Sequence, residues 1–512
     1  MPFIALGVAM IIVDATIVNV AVPSIIRSLH LSATSAEWLN SIYSLVFAAL
    51  LISAGRAGDR WGRRRLFLLG TVVFVGASLV AALAPSGEIL ILGRFLQGIG
   101  GAMILPSTLS TVNALFVGRE RAIAFAIWGS TIGGVAAIGP LVGGWLTTDV
   151  SWRWAFLVNV PVGLIIVLGV TLFIPETSQP DSARGSDFGG NVLVTLGFSG
   201  VVFALIEGTH YGWWYRESPL TLGGVHWTSG VSPVPVAAAI GVLSLAIFWR
   251  HERSRARSGA PVLVDPALFA IRSFAAGNVA ALVVSLGEFG VLFVLPLFLQ
   301  GVRGFSALGT GVLLLALAGG SLVAGGLTPQ LAQRVSARTV ARTGLALEFV
   351  GLVVLGLVIS PSVSGLDLVP ALLVYGLGVG LATAQLTGVI LADVPVQASG
   401  SASGVQSTTR QVGSALGIAI LGTVYVSEIG RRTLSGTLAV SGTTRALATS
   451  LSSAVRQSGG SVVSTLAPGP LRAAAASAVA SATRLDAFVA ATFIVVGLAA
   501  TFRLPREPGD RP

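Results

Sequence analysis

Long apolar stretches separated by short polar segments recur along the whole 512-residue chain. Each stretch is about 20 residues long, which as an α-helix is enough to cross the ~30 Å hydrocarbon core of a bilayer. Proline, glycine and charged residues mark the ends of the stretches. The pattern predicts fourteen helical spans, centred near residues 14, 47, 75, 99, 134, 165, 198, 240, 285, 318, 350, 380, 413 and 492.

One segment between the last two predicted spans departs from this pattern. Residues 428–483 are rich in Ser, Thr and Gly and are too polar to cross a bilayer. We therefore expect a long loop there, whose Ala-rich part around 471–483 can form a surface helix or hairpin.

The start of the chain is apolar from Phe3 to Val22. No basic region or small-residue cleavage site precedes this run, so it is interpreted as a membrane span and not as a signal peptide. The missing polar start suggests that the natural chain begins earlier.

Composition excludes a soluble protein. Hydrophobic residues make up 54% of the chain and charged residues only 10%, with a mean hydropathy of +0.87, whereas soluble domains carry about 25% charged residues. Cysteine is absent, which excludes disulfides and thiolate metal sites. The four histidines fall near predicted loops, so we expect no metal site. The chain is predicted to be an all-α polytopic membrane protein.

The basic residues are all arginines, and their placement orients the predicted spans. With a cytoplasmic N-terminus, nineteen of the 31 arginines lie in inside loops or the tail and four in short outside loops. Basic residues favour the cytoplasmic side, so both termini are predicted to be cytoplasmic and the loop at 428–483 extracytoplasmic. Because these arginines lie in short loops, we expect no nucleic-acid partner. Arginine-only usage with abundant Ala and Gly suggests a bacterial cytoplasmic (inner) membrane.

A tight polar turn joins the second and third predicted spans. It carries one acid among five arginines, with glycines spaced around the acid. The turn closely resembles the loop signature of the major facilitator superfamily. The resemblance implies a gate, in which the acid and arginines interlock with neighbouring helix ends and stabilise one state of an alternating-access cycle. An ordinary basic inside loop is the alternative. The residues concerned are Gly55, Gly58, Asp59, Arg60, Gly62, Arg63 and Arg64.

Two charged residues lie inside predicted spans of the first half. Arg94 begins a run, 94–102, that resembles a second signature of the same superfamily. An arginine inside a membrane costs at least ~2.5 kcal/mol, so it needs a polar cavity and a partner. Asp14 lies about 14 Å below the outer face and Arg94 about 9 Å, so a direct or water-bridged pair is feasible. The segment 14–23 is similar to the fourteen-span drug:proton antiporter family; a purely structural polar bond is the alternative for Asp14.

The fifth predicted span ends in a glycine-rich segment that contains Gly139, Pro140, Gly143 and Gly144. Small residues permit close helix approach, and the proline supplies a bend. The segment matches the superfamily's antiporter signature, which occurs mainly in exporters, although packing alone would also explain it. The run 152–163, with tryptophans at the expected membrane interface, resembles the drug:proton antiporter family as well.

Two further acids lie within spans of the second half. Glu288 is near the middle of span 9, and Glu348 is in the inner part of span 11. A carboxyl at mid-bilayer depth favours its neutral form, and opening to water on either side can then release or collect a proton. A neutral glutamic acid bonded to a backbone carbonyl is the alternative. Further candidates for a polar cavity are Asn19, Gln97, Gln300 and Arg410.

The resemblance continues through the segments 295–300 and 404–417, so it covers nearly the whole chain. It implies two six-helix bundles related by pseudo-symmetry, at 1–175 and 261–512, with a linker and two extra helices at 176–260. The loop at 328–338 lacks the acid of its counterpart at 55–65, so the two halves should gate asymmetrically. Span 13 also lacks the acids that some drug exporters of this family carry.

Several function classes can be set aside from the sequence. An ATP-driven pump needs a phosphate loop with a lysine, and the chain has none. No nucleophile–base arrangement indicates an enzyme, and a channel needs no state-locking loop.

We expect a monomeric, lipid-embedded, proton-coupled antiporter that exports lipophilic small molecules, cations among them, driven by the proton gradient without a cofactor. The alternatives are a dedicated exporter of one endogenous metabolite or lipid and, less favoured, a solute importer or a sensor on a carrier fold.

Overall fold

A computed structural model describes residues 1–115, 139–177, 187–218, 221–222, 225–260, 262–331, 335–394 and 399–502, and these are almost wholly helical. The elements are α1 (Pro2–Leu29), α2 (Ala33–Trp61), α3 (Arg63–Ala82), α4 (Gly87–Leu115), α5 (139–150, ending in the π-helical turn Leu146–Val150), α6 (Trp154–Leu157), α7 (Asn159–Phe173), α8 (Phe188–Tyr211), β1 (Thr221–Leu222), β2 (Val225–His226), α9 (Pro233–Arg257), α10 (Arg272–Gly301), α11 (Ala307–Leu331), α12 (Ala337–Val358), α13 (Gly365–Leu391), α14 (Ser399–Leu438), α15 (Arg445–Gln457) and α16 (Pro470–Thr501).

The predicted all-α membrane fold is confirmed. Twelve of the described helices are long and apolar enough to be candidate membrane spans, and α2 contains a shorter apolar stretch, Ser35–Leu51. The predicted fifth span, centred near residue 134, falls mostly within 116–138, outside the described residues. The number of fourteen spans and the side of each terminus therefore stay predictions.

Short polar side chains set the first turn of several helices. Ser32 caps α2 by accepting the Ser35 N–H at 3.1 Å. Ser364 and Asp367 form a reciprocal capping box at the start of α13. Such caps satisfy backbone N–H groups that have no partner within the helix, and they place the helix start at one residue.

The long helices run alternately between two faces of the molecule. We call the face with the α1–α2 turn (30–32) the upper face and the face with the α2–α3 turn at Gly62 the lower face. Helices α1 to α7 pack together, as do α10 to α16. The hairpin of α8 and α9 lies at the side, where α8 contacts both α2 and α14.

The segment predicted as a long loop at 428–483 is largely helical, so the prediction of a loop is wrong for most of it, whereas the Ala-rich part at 471–483, for which a helix was one of the two predicted structures, is helical. Helix α14 continues to Leu438, α15 covers Arg445–Gln457, and α16 begins at Pro470. At 40 residues, α14 is about 60 Å long, roughly twice the hydrocarbon thickness. The polarity of this segment does not exclude a helix, and a helix of this length can project beyond the bilayer.

Apolar side chains also cover the outside of the helix bundle. Examples are Leu168, Leu172 and Phe173 on α7, which are 61%, 74% and 71% exposed. A contiguous apolar exterior of this kind is unfavourable in water, and lipid is the environment that accommodates it.

Candidate functional site

A buried polar cluster joins four helices of the first half around Asp14 of α1. The Arg94 guanidinium donates from Nη1 to Asp14 Oδ2 at 2.5 Å. The side-chain amides of Gln97 and Asn159 each donate to Asp14 Oδ1 at 2.8 Å. Both amides also contact the hydroxyl of Ser78, at 2.8 and 3.1 Å. The Asp14 carboxylate is therefore 0% exposed and accepts three hydrogen bonds.

Further contacts fix the Arg94 side chain in addition to its ion pair with Asp14. Its Nε donates to the Leu39 carbonyl at 3.0 Å, and its guanidinium lies 4.3 Å from the centre of the Tyr43 ring. Gln97 follows Arg94 by three residues, so both side chains share one face of α4 and bond each other at 2.9 Å. Arg94 and Asp14, predicted as a feasible pair, are in direct contact.

The glycines of 139–144 bring α5 against helices of both halves. A Cβ on Gly139 or Gly143 would collide with Thr16 or Ile17 of α1, and one on Gly144 would lie 2.6 Å from the Ala307 carbonyl oxygen of α11. In return, Gly311 of α11 packs on the Pro140 carbonyl. These small residues permit backbone contact between the two halves near the upper face.

Two other predicted cavity residues also lie between helices. Asn19 accepts a hydrogen bond from the Asn40 amide at 2.9 Å, which joins α1 to α2. Gln300 of α10 donates to the Val20 carbonyl of α1 at 3.0 Å, which joins the two halves. Neither side chain reaches the Asp14 cluster through a described hydrogen bond.

The second half holds a different charged arrangement around Glu288 of α10. Arg410 Nη2 lies 3.7 Å from Glu288 Oε2, beyond hydrogen-bond distance. Glu348 of α12 is 0% exposed, and neither of its carboxyl oxygens has a hydrogen-bond partner among the described residues. The Tyr375 hydroxyl of α13 is buried and is also without such a partner there. These groups are thus less fully bonded than the Asp14 cluster.

A small cavity lies directly below Glu288. Its lining includes Ser285 of α10, Thr383 and Thr387 of α13, and Gln406 and Arg410 of α14. Gln406 donates to the Thr387 hydroxyl at 2.9 Å. The cavity therefore offers hydroxyl, amide and guanidinium groups next to a carboxyl inside the membrane-spanning region.

The predicted gating turn is described in part. Gly62 ends α2 with a φ of 111°, and Glu176, beyond α7, accepts the backbone N–H groups of Arg64 and Arg65 at 3.1 and 3.2 Å. A carboxylate at a helix N-terminus is favoured by the helix dipole and by the free N–H groups. Arg63 donates its backbone N–H to the Thr177 carbonyl at 3.0 Å.

The acid of that turn, Asp59, and the arginines Arg56 and Arg60 have side chains outside the described part of the chain. Their interlocking therefore stays a prediction. A Cβ on Gly55 would meet Pro106 at 3.5 Å and one on Gly58 would meet Leu66 at 3.4 Å, which are ordinary van der Waals distances, so among the described turn glycines only Gly62 opposes a side chain.

Replacing Gly62 by alanine is expected to destabilise the chain by about 1–3 kcal/mol. A side chain is unfavourable at this φ, and the added Cβ would lie 2.5 Å from the Glu176 carboxyl carbon. Thermal unfolding of the detergent-solubilised chain measures the effect. Gly76→Ala in α3 is the matched control, because nothing lies within 4 Å of its added Cβ. Equal unfolding temperatures for the two variants would contradict this account of the turn.

One group of three side chains has the composition of a metal site. Ligand atoms of Asp187, His251 and Glu252 lie within 4.8 Å of one another at the lower end of the α8–α9 hairpin. Asp187 contacts His251 Nε2 at 2.8 Å and lies 3.5 Å from Arg255 Nε. Burial opposes ionisation of Asp187, but hydrogen bonds with Glu252, His251 and the Gly190 N–H outweigh burial and lower its pKa. Arg255 already supplies positive charge, so the group is interpreted as an ion-pair network.

Four polar residues of these sites escaped the sequence analysis. Asn159 lies in the run 152–163 but had no assigned role, and Glu176 was placed in the linker. Glu37 of α2 and Asp486 of α16 are buried, at 2% and 1% exposure. The signal for Asp486 was a single acid in an Ala-rich stretch, next to a segment interpreted as loop.

Comparison with known proteins gives one family and several relatives. The family model described as Major Facilitator Superfamily matches residues 4–418. The multidrug efflux pump LfrA of Mycolicibacterium smegmatis is 35% identical over 83% of this chain and 80% of its own. The multidrug resistance protein Stp of Mycobacterium tuberculosis is 34% identical over 82% of this chain and 74% of its own. The probable actinorhodin transporter of Streptomyces coelicolor is 33% identical over 82% and 71%.

A solved structure agrees with the fold. The bacterial homologue of the human lysosomal transporter Spinster, in an inward-facing and unoccupied conformation, superposes with a TM-score of 0.62 at 18% identity. The match covers 99% of this chain and 98% of the other. At this identity the likeness concerns the fold alone.

Proposed function

Because the chain belongs to the Major Facilitator Superfamily, we propose that it is a proton-coupled antiporter that exports lipophilic small molecules by alternating access. Its relatives include proteins named as multidrug efflux and multidrug resistance proteins, which supports export. The upper face is then extracytoplasmic and the lower face cytoplasmic, in the plasma membrane. No cofactor enters this proposal, since the proton gradient supplies the energy.

The observation that supports proton coupling is the incomplete hydrogen bonding of the buried carboxyl groups of Glu288 and Glu348. Both lie inside candidate spans, and each has at least one buried carboxyl oxygen without a hydrogen-bond partner among the described residues. A buried carboxylate without full bonding is costly, and binding a proton removes that cost. Intramembrane acids of this kind are typical of proton pathways in transporters. We assign the exchanged proton to Glu288, since it also adjoins Arg410 and the polar cavity.

The Asp14–Arg94 pair is the second element of the proposed mechanism. Protonating Asp14 would leave the guanidinium of Arg94, which is 1% exposed, buried without its anion. Losing one partner of a buried ion pair costs about 3–5 kcal/mol. Proton binding at Asp14 is therefore coupled to any movement that exposes Arg94 to water or to a substrate.

Alternating access also requires an interface that can separate. The two halves meet near the upper face through Gly144 with Ala307, Gly311 with Pro140, and Gln300 with Val20. These are backbone and single hydrogen-bond contacts without an ion pair among them. Rocking of the halves about such an interface is the expected movement in carriers built from two bundles.

Transport in inverted membrane vesicles tests the proposal, with ethidium as the lipophilic probe. An acidic interior is expected to drive ethidium uptake, to a limit of about tenfold per pH unit if one proton exchanges for one cation. A protonophore that removes the gradient should abolish the uptake, and added ethidium should raise the interior pH. Vesicles that accumulate ethidium equally with and without a pH gradient would refute proton coupling.

A dedicated exporter of one endogenous product is the second candidate function. The similarity to a probable actinorhodin transporter favours it. A chain of this kind would not move ethidium but would move a metabolite of its own producing cell. Comparison of metabolites in the medium of cells with and without the gene separates the two functions.

A further inference from the structure

Asp486 of α16 is a buried acid for which the mechanism above has no use. It is 1% exposed, and neither of its carboxyl oxygens has a hydrogen-bond partner among the described residues. Buried polar groups are normally hydrogen-bonded, because desolvation without a partner costs free energy. If Asp486 had a purely structural role, we would expect it to accept hydrogen bonds as Asp14 does. Among the described residues, Asp486 accepts none.

Asp486 lines a small cavity in the upper part of the second half. Among the lining residues, Asp486 and Thr483 are polar and the others are apolar. The lining comes from α10, α12 and α16: Val291, Val294, Leu295, Leu355, Ile359, Thr483, Asp486 and Ala487. Water in this cavity would have the Asp486 carboxyl and the Thr483 hydroxyl as its polar contacts.

Glu288 and Glu348 lie below this cavity on the same helix faces that line it. On α10, Val291 and Leu295 follow Glu288 by three and seven residues. On α12, Leu355 follows Glu348 by seven residues. Residues at these spacings share a helix face, and seven residues correspond to a rise of about 10 Å. Both carboxyls are thus one to two helical turns below the cavity.

The lower cavity completes the arrangement. Ser285 and Ala281, which line it, precede Glu288 by three and seven residues on the same face of α10. Glu288 therefore lies between two cavities, one that contains Asp486 and one that contains Arg410. A carboxyl in this position can exchange protons with water on either side.

We propose that Asp486 is the proton-entry group of a pathway through the second half, which continues through the upper cavity to Glu288 and Glu348. Hydronium at the upper face gives a proton to the Asp486 carboxylate. The resulting acid passes the proton through cavity water to a Glu288 carboxylate, and the Asp486 carboxylate is restored. The direction of net flow rests on the proposed function, whereas the pathway does not.

Other titratable groups surround Asp486. Glu428 and Tyr425 on α14 and Glu37 on α2 are electrostatically coupled to it. Glu428 is bonded by Arg431 and Arg432 near the upper face, at 2.7 and 2.5 Å. Tyr425 donates to the Gly459 carbonyl at 3.0 Å. Glu37 and Glu428 therefore place acidic groups beside the proposed entry point.

Carbodiimide labelling of the full-length chain in right-side-out vesicles tests this pathway without any transport substrate. Dicyclohexylcarbodiimide modifies protonated carboxyls in apolar surroundings, and peptide mass spectrometry locates the adducts. Labelling of Asp486 is expected to fall about tenfold per pH unit as the exterior pH rises past its titration point. Labelling of Glu288 should follow the exterior pH in the native chain but not in Asp486→Asn. Asp486→Glu should restore the dependence.

Asp149→Asn is the matched control, because Asp149 is exposed at the upper end of α5 and lies apart from both cavities. It should leave the labelling of Glu288 unchanged. Labelling of Asp486 that ignores the exterior pH, or labelling of Glu288 that is unaffected by Asp486→Asn, would overturn the pathway. A chain that labels as expected but does not accumulate ethidium under a pH gradient would keep the pathway and reject the antiport function.

Discussion

Arg94→Gln is expected to destabilise the chain by about 3–5 kcal/mol and to abolish transport. The substitution leaves the Asp14 carboxylate 0% exposed with only two amide donors, from Gln97 and Asn159. The contacts of the guanidinium with the Leu39 carbonyl and the Tyr43 ring are lost as well. Thermal unfolding in detergent and ethidium uptake by inverted vesicles measure the two effects.

The double variant Asp14→Asn, Arg94→Gln separates stability from function. Replacing both members of a buried ion pair by neutral groups is often close to neutral for stability. We expect the double variant to regain most of the lost stability but no pH-driven uptake, because the charge that couples proton binding to movement is gone. If the double variant transported like the native chain, the Asp14–Arg94 pair would have only a packing role.

The control for this prediction is another arginine in α1. Arg27 is exposed, and its described side-chain hydrogen bond goes to Ser24 at 3.2 Å. Arg27→Gln should therefore change stability by no more than about 0.5 kcal/mol and leave uptake unchanged.

Glu288→Gln is expected to abolish pH-driven accumulation of ethidium and to leave exchange of ethidium for ethidium intact. The amide keeps the size and polarity of the side chain but cannot take up or release a proton. Exchange needs only the alternation of the loaded carrier, whereas accumulation needs the returning carrier to carry a proton. Proteoliposomes that contain the purified chain allow both to be measured, with a pH gradient and with equal pH on both sides.

A substrate-site role for Glu288 predicts a different result. If the carboxylate bound the cationic probe directly, Glu288→Gln would weaken both exchange and accumulation. Glu217→Gln is the matched control, since Glu217 is exposed in the connection after α8. It should change neither activity. Retained accumulation in Glu288→Gln would move the proton site to another acid, with Asp14 and Glu348 as the next to test.

The sequence predicts the membrane-embedded helical fold without any structure, because a hydrocarbon core of about 30 Å imposes stretches of about 20 apolar residues. It also determined that Arg94 needs an acid nearby, since an unpaired arginine in a span is costly. Asp14 was the acid at comparable depth, and the structure joins the two. The depth of a residue along a helix follows from its residue number, so this pair could be predicted from the sequence.

Which other groups meet at these sites depends on the packing of the helices. Asn159 reaches Asp14, and Glu176 reaches the start of α3, across more than a hundred residues of chain. Such meetings depend on how each helix is rotated about its axis, and residue spacing does not give that rotation. Helix α15 and the polar end of α14 were missed for a different reason. A polar helix carries no hydropathy signal of a span, so α15 became evident only in the structure, and the Asp486 cavity only where α16 packs against α10 and α12.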